Sequence, residues 1–185
     1  MEQITEKKAV IGFVNNIFSI SKNNCHKIIK LLNQEYGMGF VIIGEEEARH
    51  ELTIALLAQE LLALKALYSR AQGMRIYNKV LDLLGGDSPE NYVTNEVKKY
   101  IKDFDDAVKA NDPQEAVLVI PERLLKKWTG KNTMADNRGA DIQTSNLLSP
   151  LTGPKFSAYT VSLLVVYWQK IKENYQITSE KEESI

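Results

Sequence analysis

The sequence predicts an all-α protein, a helical bundle of about six helices, and three observations carry that prediction. Apolar residues recur at spacings of three and four along almost every patterned segment, where strands would alternate. Residues that start helices stand before those segments and glycines stand after them. The chain, at 185 residues with 44% hydrophobic and 25% charged, is long enough for a single domain with its own core.

The first helical pattern, residues 5–19, puts Ala9, Val10, Phe13, Val14, Ile17 and Phe18 on one face. Ser21 then has the chemistry of an N-cap for a second pattern of Cys25, Ile28, Ile29, Leu32 and Tyr36, which Gly37 ends. A helical hairpin is therefore expected. Phe40, Val41, Ile42 and Ile43 lie between Gly39 and Gly44; with no neighbouring strand to pair with, they read as a lead-in.

Residues 45–72 are expected to form one long central helix, roughly 40 Å at 1.5 Å per residue. Its seam runs Ile54, Leu57, Leu61, Leu64 and Tyr68. A shorter helix, 74–84, stops at Gly85 and Gly86. Ser88 as cap and Pro89 at the first helical position open the next, striped by Val93, Val97, Tyr100, Ile101, Phe104 and Val108.

Asp112, Pro113 and Glu115 repeat the start signal, with the two acids spaced as a capping box. Pro121 is expected to break or kink that helix, leaving Leu124, Leu125 and Trp128 on a segment ended by Gly130. Residues 130–155 are rich in Gly, Asn, Asp, Ser, Thr and Pro and read as a long irregular segment. A last helix, 157–175, carries Val161, Leu164, Trp168, Ile171 and Tyr175; the polar residues 176–185 read as a disordered tail to a single domain spanning 1–175.

A formal charge of −1 argues against a surface given over wholly to nucleic acid or anionic lipid. Cys25 is the only cysteine, which excludes an intramolecular disulfide and suits a reducing compartment. The densest apolar run, at 161–168, falls well short of the ~20 residues of a membrane span, so the expectation is a soluble, cytoplasmic protein with no membrane partner.

The run EEEARHE, residues 45–51, is the first candidate site. Followed backwards from Ala71, the seam reaches His50 and then Glu47, which places both beside the leucines and toward the partner helices. The run resembles the second-helix signature of ferritin-like and rubrerythrin-like proteins. That resemblance implies a helical bundle in which Glu47 and His50 hold a divalent metal, in the family a dinuclear iron centre. A second Glu-x-x-His is missing: the other histidine, His26, follows Asn23 at that spacing. Glu35, Glu90, Glu96, Asp103 and Asp106 are the carboxylates left to complete a simpler site. The alternative role for Glu47 and His50 is helix entry, with acids favoured by the helix dipole.

PERLLKKWTGK, residues 121–131, is the second candidate. It groups Arg123, Lys126, Lys127 and Lys131 around Trp128, cations for phosphates and an aromatic face for a base. The competing reading makes Trp128 core and the cations a wet face near a helix C-terminus. GKNT at 130–133 fails as a phosphate-binding loop, because Leu125 stands where the earlier glycine belongs.

No nucleophile elbow, dinucleotide fingerprint or base-paired thiol is present. The expected function is non-catalytic: an interaction protein or subunit of a larger assembly, using the seam from Ile54 to Tyr68 to meet a protein partner or a second copy. No cofactor is expected on that reading. The alternatives are a nucleic-acid-binding subunit working through the basic patch, and a metal-binding protein using Glu47 and His50.

Overall fold

The computed structural model describes residues 2–86, 88–110, 113–130 and 167–179. They form an all-α bundle. Its helices are α1 (Glu6–Tyr36), α2 (Glu45–Leu67), α3 (Arg70–Leu83), α4 (Tyr92–Lys109), α5 (Pro113–Thr129) and α6 (Tyr167–Asn174); two short strands, β1 (Glu2–Thr5) and β2 (Tyr175–Thr178), complete the described elements. The expected irregular segment lies outside the described residues apart from Gly130, as does the start of the expected last helix.

Helix α2 is the axis because its middle is covered on every side. Each residue from Glu51 to Ala58 is buried, and α2 touches all five of the other described helices. A helix without a wet face belongs in the middle of a bundle. Its first turn holds Glu45, Glu46 and Glu47, where negative charge meets the positive end of the helix dipole.

Helix α1 is one rod of 31 residues instead of a hairpin. The polar run around residue 21 stays helical because its side chains bond back along the helix. Ser21 Oγ donates to Phe18 O at 3.0 Å and Asn24 Nδ2 to Ile20 O at 2.8 Å. Ile17, Cys25 and Ile28 continue a single buried face through this stretch. Gly37, at φ 103°, ends the helix.

The long helix expected over 45–72 ends early, at Leu67. Tyr68 is extended, and Ser69 caps α3 by accepting from the Gln72 amide at 3.4 Å. Helix α4 likewise begins later than expected. Asn91, not Ser88, is its cap, with Oδ1 accepting from the Thr94 amide at 3.2 Å, so Pro89 sits in the preceding turn. Helix α5 runs through Pro121 without a break. Ile120, Leu124, Leu125 and Trp128 are buried on both sides of the proline, and that packing offsets the lost backbone bond.

Residues 40–43 form no strand. Phe40 and Val41 are buried and anchor the α1–α2 connection, and the Ile42 amide donates to Trp128 O at 2.8 Å. The tail behaves differently from the expected disordered segment. Residues 175–178 pair in parallel with Glu2–Thr5, matching Ile4 with Ile177, and both isoleucines pack on the core. Bringing residues 2–5 to the bundle gives the backbone there a partner.

Candidate functional site

Glu47 and His50 are exposed, in contrast to the inward orientation that the seam implies. In the first turns of α2 the covered face is the one bearing Ala48 and Leu52, both fully buried, and the seam of Ile54 and Leu57 becomes enclosed only a turn later. Among the described residues no three His, Cys, Asp or Glu side chains gather as a metal site would require.

The other carboxylates are committed elsewhere. Glu96 is held by Lys99 and Lys127, Asp103 by Arg123 and Asp106 by Lys109; Glu90 lies exposed in the turn before α4, and the Glu35 side chain is outside those described. Among the described residues, the donors around His50 do not make up the ligand set of a dinuclear iron centre. Its ring instead stands 5.7 Å from that of Tyr92.

The basic patch of α5 is turned mostly inward. Lys127 Nζ donates to Glu51 Oε2 at 2.6 Å, to Glu96 Oε2 at 2.7 Å and to the Tyr92 hydroxyl at 3.0 Å. Arg123 bonds Asp103 and reaches Glu96 at 3.3 Å, with its guanidinium 4.9 Å from the Tyr100 ring centroid. Trp128 is fully buried. Lys126 alone of these is exposed, and Lys131 lies outside the described residues.

This network joins α2, α4 and α5 through two buried carboxylates, Glu51 and Glu96. Burial raises the Glu96 carboxyl, but Lys127, Lys99 and Arg123 outweigh it and hold the group down at about 2. Burial works against the Lys127 ammonium, and its bonds to Glu51, Glu96 and Tyr92 overcome that and push it above the usual lysine range. Tyr100, deeply buried beneath the cations, is displaced upward from the ordinary phenol value, chiefly by desolvation. With its charges paired inside the protein, the network serves as a structural tie. It withdraws Arg123, Lys127 and Trp128 from a nucleic-acid surface.

The seam divides into two parts. Ile54, Leu57, Leu61 and Leu64 are buried within the chain, which removes most of the seam as a face for a second molecule. Leu61, Leu64 and Tyr68 also line an apolar cleft of about 590 Å³, completed by Met74, Tyr77 and Ile101. Gly73 lies buried where α3 meets α2, and a Cβ there would stand 3.4 Å from Leu64 O, an ordinary contact distance. The Tyr68 hydroxyl donates outward to Trp168 O at 3.1 Å, so its ring is fixed in the wall. Arg70, exposed and lining the cleft, has no ion pair among the described residues; Lys65 nearby is bound to Asp105 at 2.7 Å.

A second cleft, of about 550 Å³, opens between α1 and α2. His50 lines it together with Lys22, Arg49 and Phe18, above a floor of Ser21 and Thr53. Sequence reading passed over this cleft, because Lys22 and Arg49 are 27 residues apart and no local pattern joins them.

Elsewhere, Cys25 is buried and its thiol is pushed up to about 11, mainly by desolvation, so it is not a thiolate nucleophile at neutral pH. Among the described residues no helix is long and apolar enough to cross a membrane. Fold and clefts define the class: an all-α bundle with an apolar cleft beside its axis and a polar one near the axial N-terminus. Comparison of the chain with protein-family models, curated proteins and solved structures finds no match.

Proposed function

We propose that the protein is a non-catalytic helical interaction protein, a subunit of a larger cytoplasmic assembly, and that it takes an apolar segment of a partner protein into the cleft between α2 and α3. The observation that carries this reading is the cleft itself. Leu61, Leu64, Tyr68, Met74, Tyr77 and Ile101 gather around about 590 Å³, and the Met74 side chain that lines it is half exposed. A partly exposed methionine beside leucines and tyrosines suits a groove that accepts the apolar face of another chain. Arg70 adds a charge preference, for a segment with an acidic residue beside its apolar anchors.

The seam thus contributes through its C-terminal end instead of through its whole length. A reducing compartment is in keeping with one buried cysteine.

The test compares the unmodified chain with M74E and R70E in pull-downs from its native cells, after thermal melts show that both variants fold. A partner retained by the unmodified chain and lost by M74E, with R70E weakened, is the expected result. A strictly monomeric protein in sedimentation that retains the same set of proteins with and without M74E would remove the proposal.

A further inference from the structure

The cleft between α1 and α2 presents cations that no buried acid among the described residues claims. Phe18 and Lys22 are four residues apart on α1, as are Arg49 and Thr53 on α2, so each pair shares a helix face and the two faces meet. Lys22 has no ion pair among the described residues. Arg49 has one, with Glu46 at 3.5 Å, and the Glu46 side chain is 94% exposed. Such an exposed pair is weak and screened, so the guanidinium keeps its capacity for a better acceptor.

With Lys22 and Arg49 positive and Glu46 negative, the fixed charges of the lining leave it net positive. A divalent metal at His50 would face two fixed positive groups. An anion would be matched to them.

The floor is rigid. Ser21 and Thr53 are buried; the Thr53 hydroxyl donates to Ser21 Oγ at 2.8 Å, which ties α2 to α1 beneath the opening, and Ser21 Oγ in turn donates to Phe18 O. Phe18 is half exposed at the cleft and offers an aromatic surface to a planar group. At about 550 Å³ the space accommodates a molecule larger than a bare anion.

We propose that this cleft binds a small phosphorylated molecule with a planar body, its phosphate between Lys22 and Arg49 and its ring against Phe18. A mononucleotide has that chemistry, and His50 supplies a further hydrogen-bond donor to its phosphate or sugar.

Calorimetry on the full chain in metal-free buffer, with AMP, ADP and inorganic pyrophosphate as probes, tests it. The expected result is saturable binding of a nucleotide, weakened about tenfold or more by K22E together with R49E, which removes the charge-assisted bonds. F18A is expected to lower nucleotide affinity and leave pyrophosphate unaffected. Thermal melts check that the variants fold; should the double variant not fold, K22Q supplies the charge test. Absence of saturable binding by all three probes at millimolar concentration overturns the proposal, as does nucleotide binding indifferent to the loss of both cations. Pyrophosphate binding without any nucleotide preference overturns the planar-body part.

Discussion

Two sets of cations in this molecule look alike in the sequence and differ in the fold. On α5, Arg123 and Lys127 turn toward Glu51, Glu96 and Asp103, and their charge is consumed within the protein. Among the described residues, Lys22 in the α1–α2 cleft has no ion pair and Arg49 meets only an exposed glutamate. The local density of basic residues is higher around residue 127, yet the cleft has the greater capacity to attract an anion. What separates the two is the position of buried carboxylates, and Glu51 lies 76 residues from Lys127.

The largest expected effect comes from breaking the buried set. Replacing Lys127 with alanine leaves Glu51 and Glu96 without their shared counter-ion. Loss of one partner of a buried ion pair typically costs about 3–5 kcal/mol, or roughly 6–20 °C in melting temperature for a chain of this size. The corresponding change in the cleft, K22A, is expected to leave the melting temperature almost where it was. Equal effects at the two sites in thermal melts would erase the distinction.

Acid sharpens the same comparison. Glu96 has a folded value of about 2 against an ordinary 4.5, so the unfolded chain takes up its proton first as pH falls. Its contribution to stability is present in full above the ordinary value and is lost as pH drops through that window toward about 2. Denaturant midpoints measured from pH 7 downward are expected to show the unmodified protein losing its advantage over E96Q across this range. An advantage that persists undiminished at the acid end would mean that the glutamate is not held by the cations.

Another buried carboxylate, outside the network, carries the opposite sign. Glu60 is buried on α2, and desolvation raises it to about 7 even though the Trp168 and Tyr167 amides donate to it. Here the folded state holds the proton more tightly. The contribution of Glu60 to stability is therefore greatest below the ordinary value of 4.5 and declines as pH rises toward about 7. E60Q removes that penalty and is expected to stabilise the protein at pH 8 by on the order of 2 kcal/mol, with the gain vanishing in mild acid. A gain that is the same at both pH values would point to packing instead of charge.

The helical class and the axial role of α2 were legible because both follow from local pattern, the three-and-four spacing and the density of apolar residues after Glu51. The break at Tyr68 had a local signal as well, Ser69 and Gln72 spaced as a capping box. It was hidden because Leu64, Tyr68 and Ala71 continue the helical spacing across it. The unbroken α1 was misread for the converse reason: Ser21 has cap chemistry but spends its hydroxyl within the helix. Pairing of β1 with β2 joins the two ends of the described chain, and the exposure of Glu47 and His50 depends on which face of α2 its neighbours cover. Neither is a property of any local window, and the α1–α2 cleft was missed on the same ground.

The smallest expected effect is the most discriminating one. Lys126 and Lys127 are adjacent and chemically identical, but they project about 100° apart on α5, which leaves Lys126 in solvent and brings Lys127 to two glutamates. K126E should change stability by no more than about 0.5 kcal/mol, the range of an ordinary surface substitution. K127E places a third carboxylate beside Glu51 and Glu96 and is expected to exceed the alanine variant in its cost. If reversing the charge at Lys126 destabilised the fold as much as at Lys127, the general charge of the α5 surface, not the buried pairing, would be holding α2, α4 and α5 together.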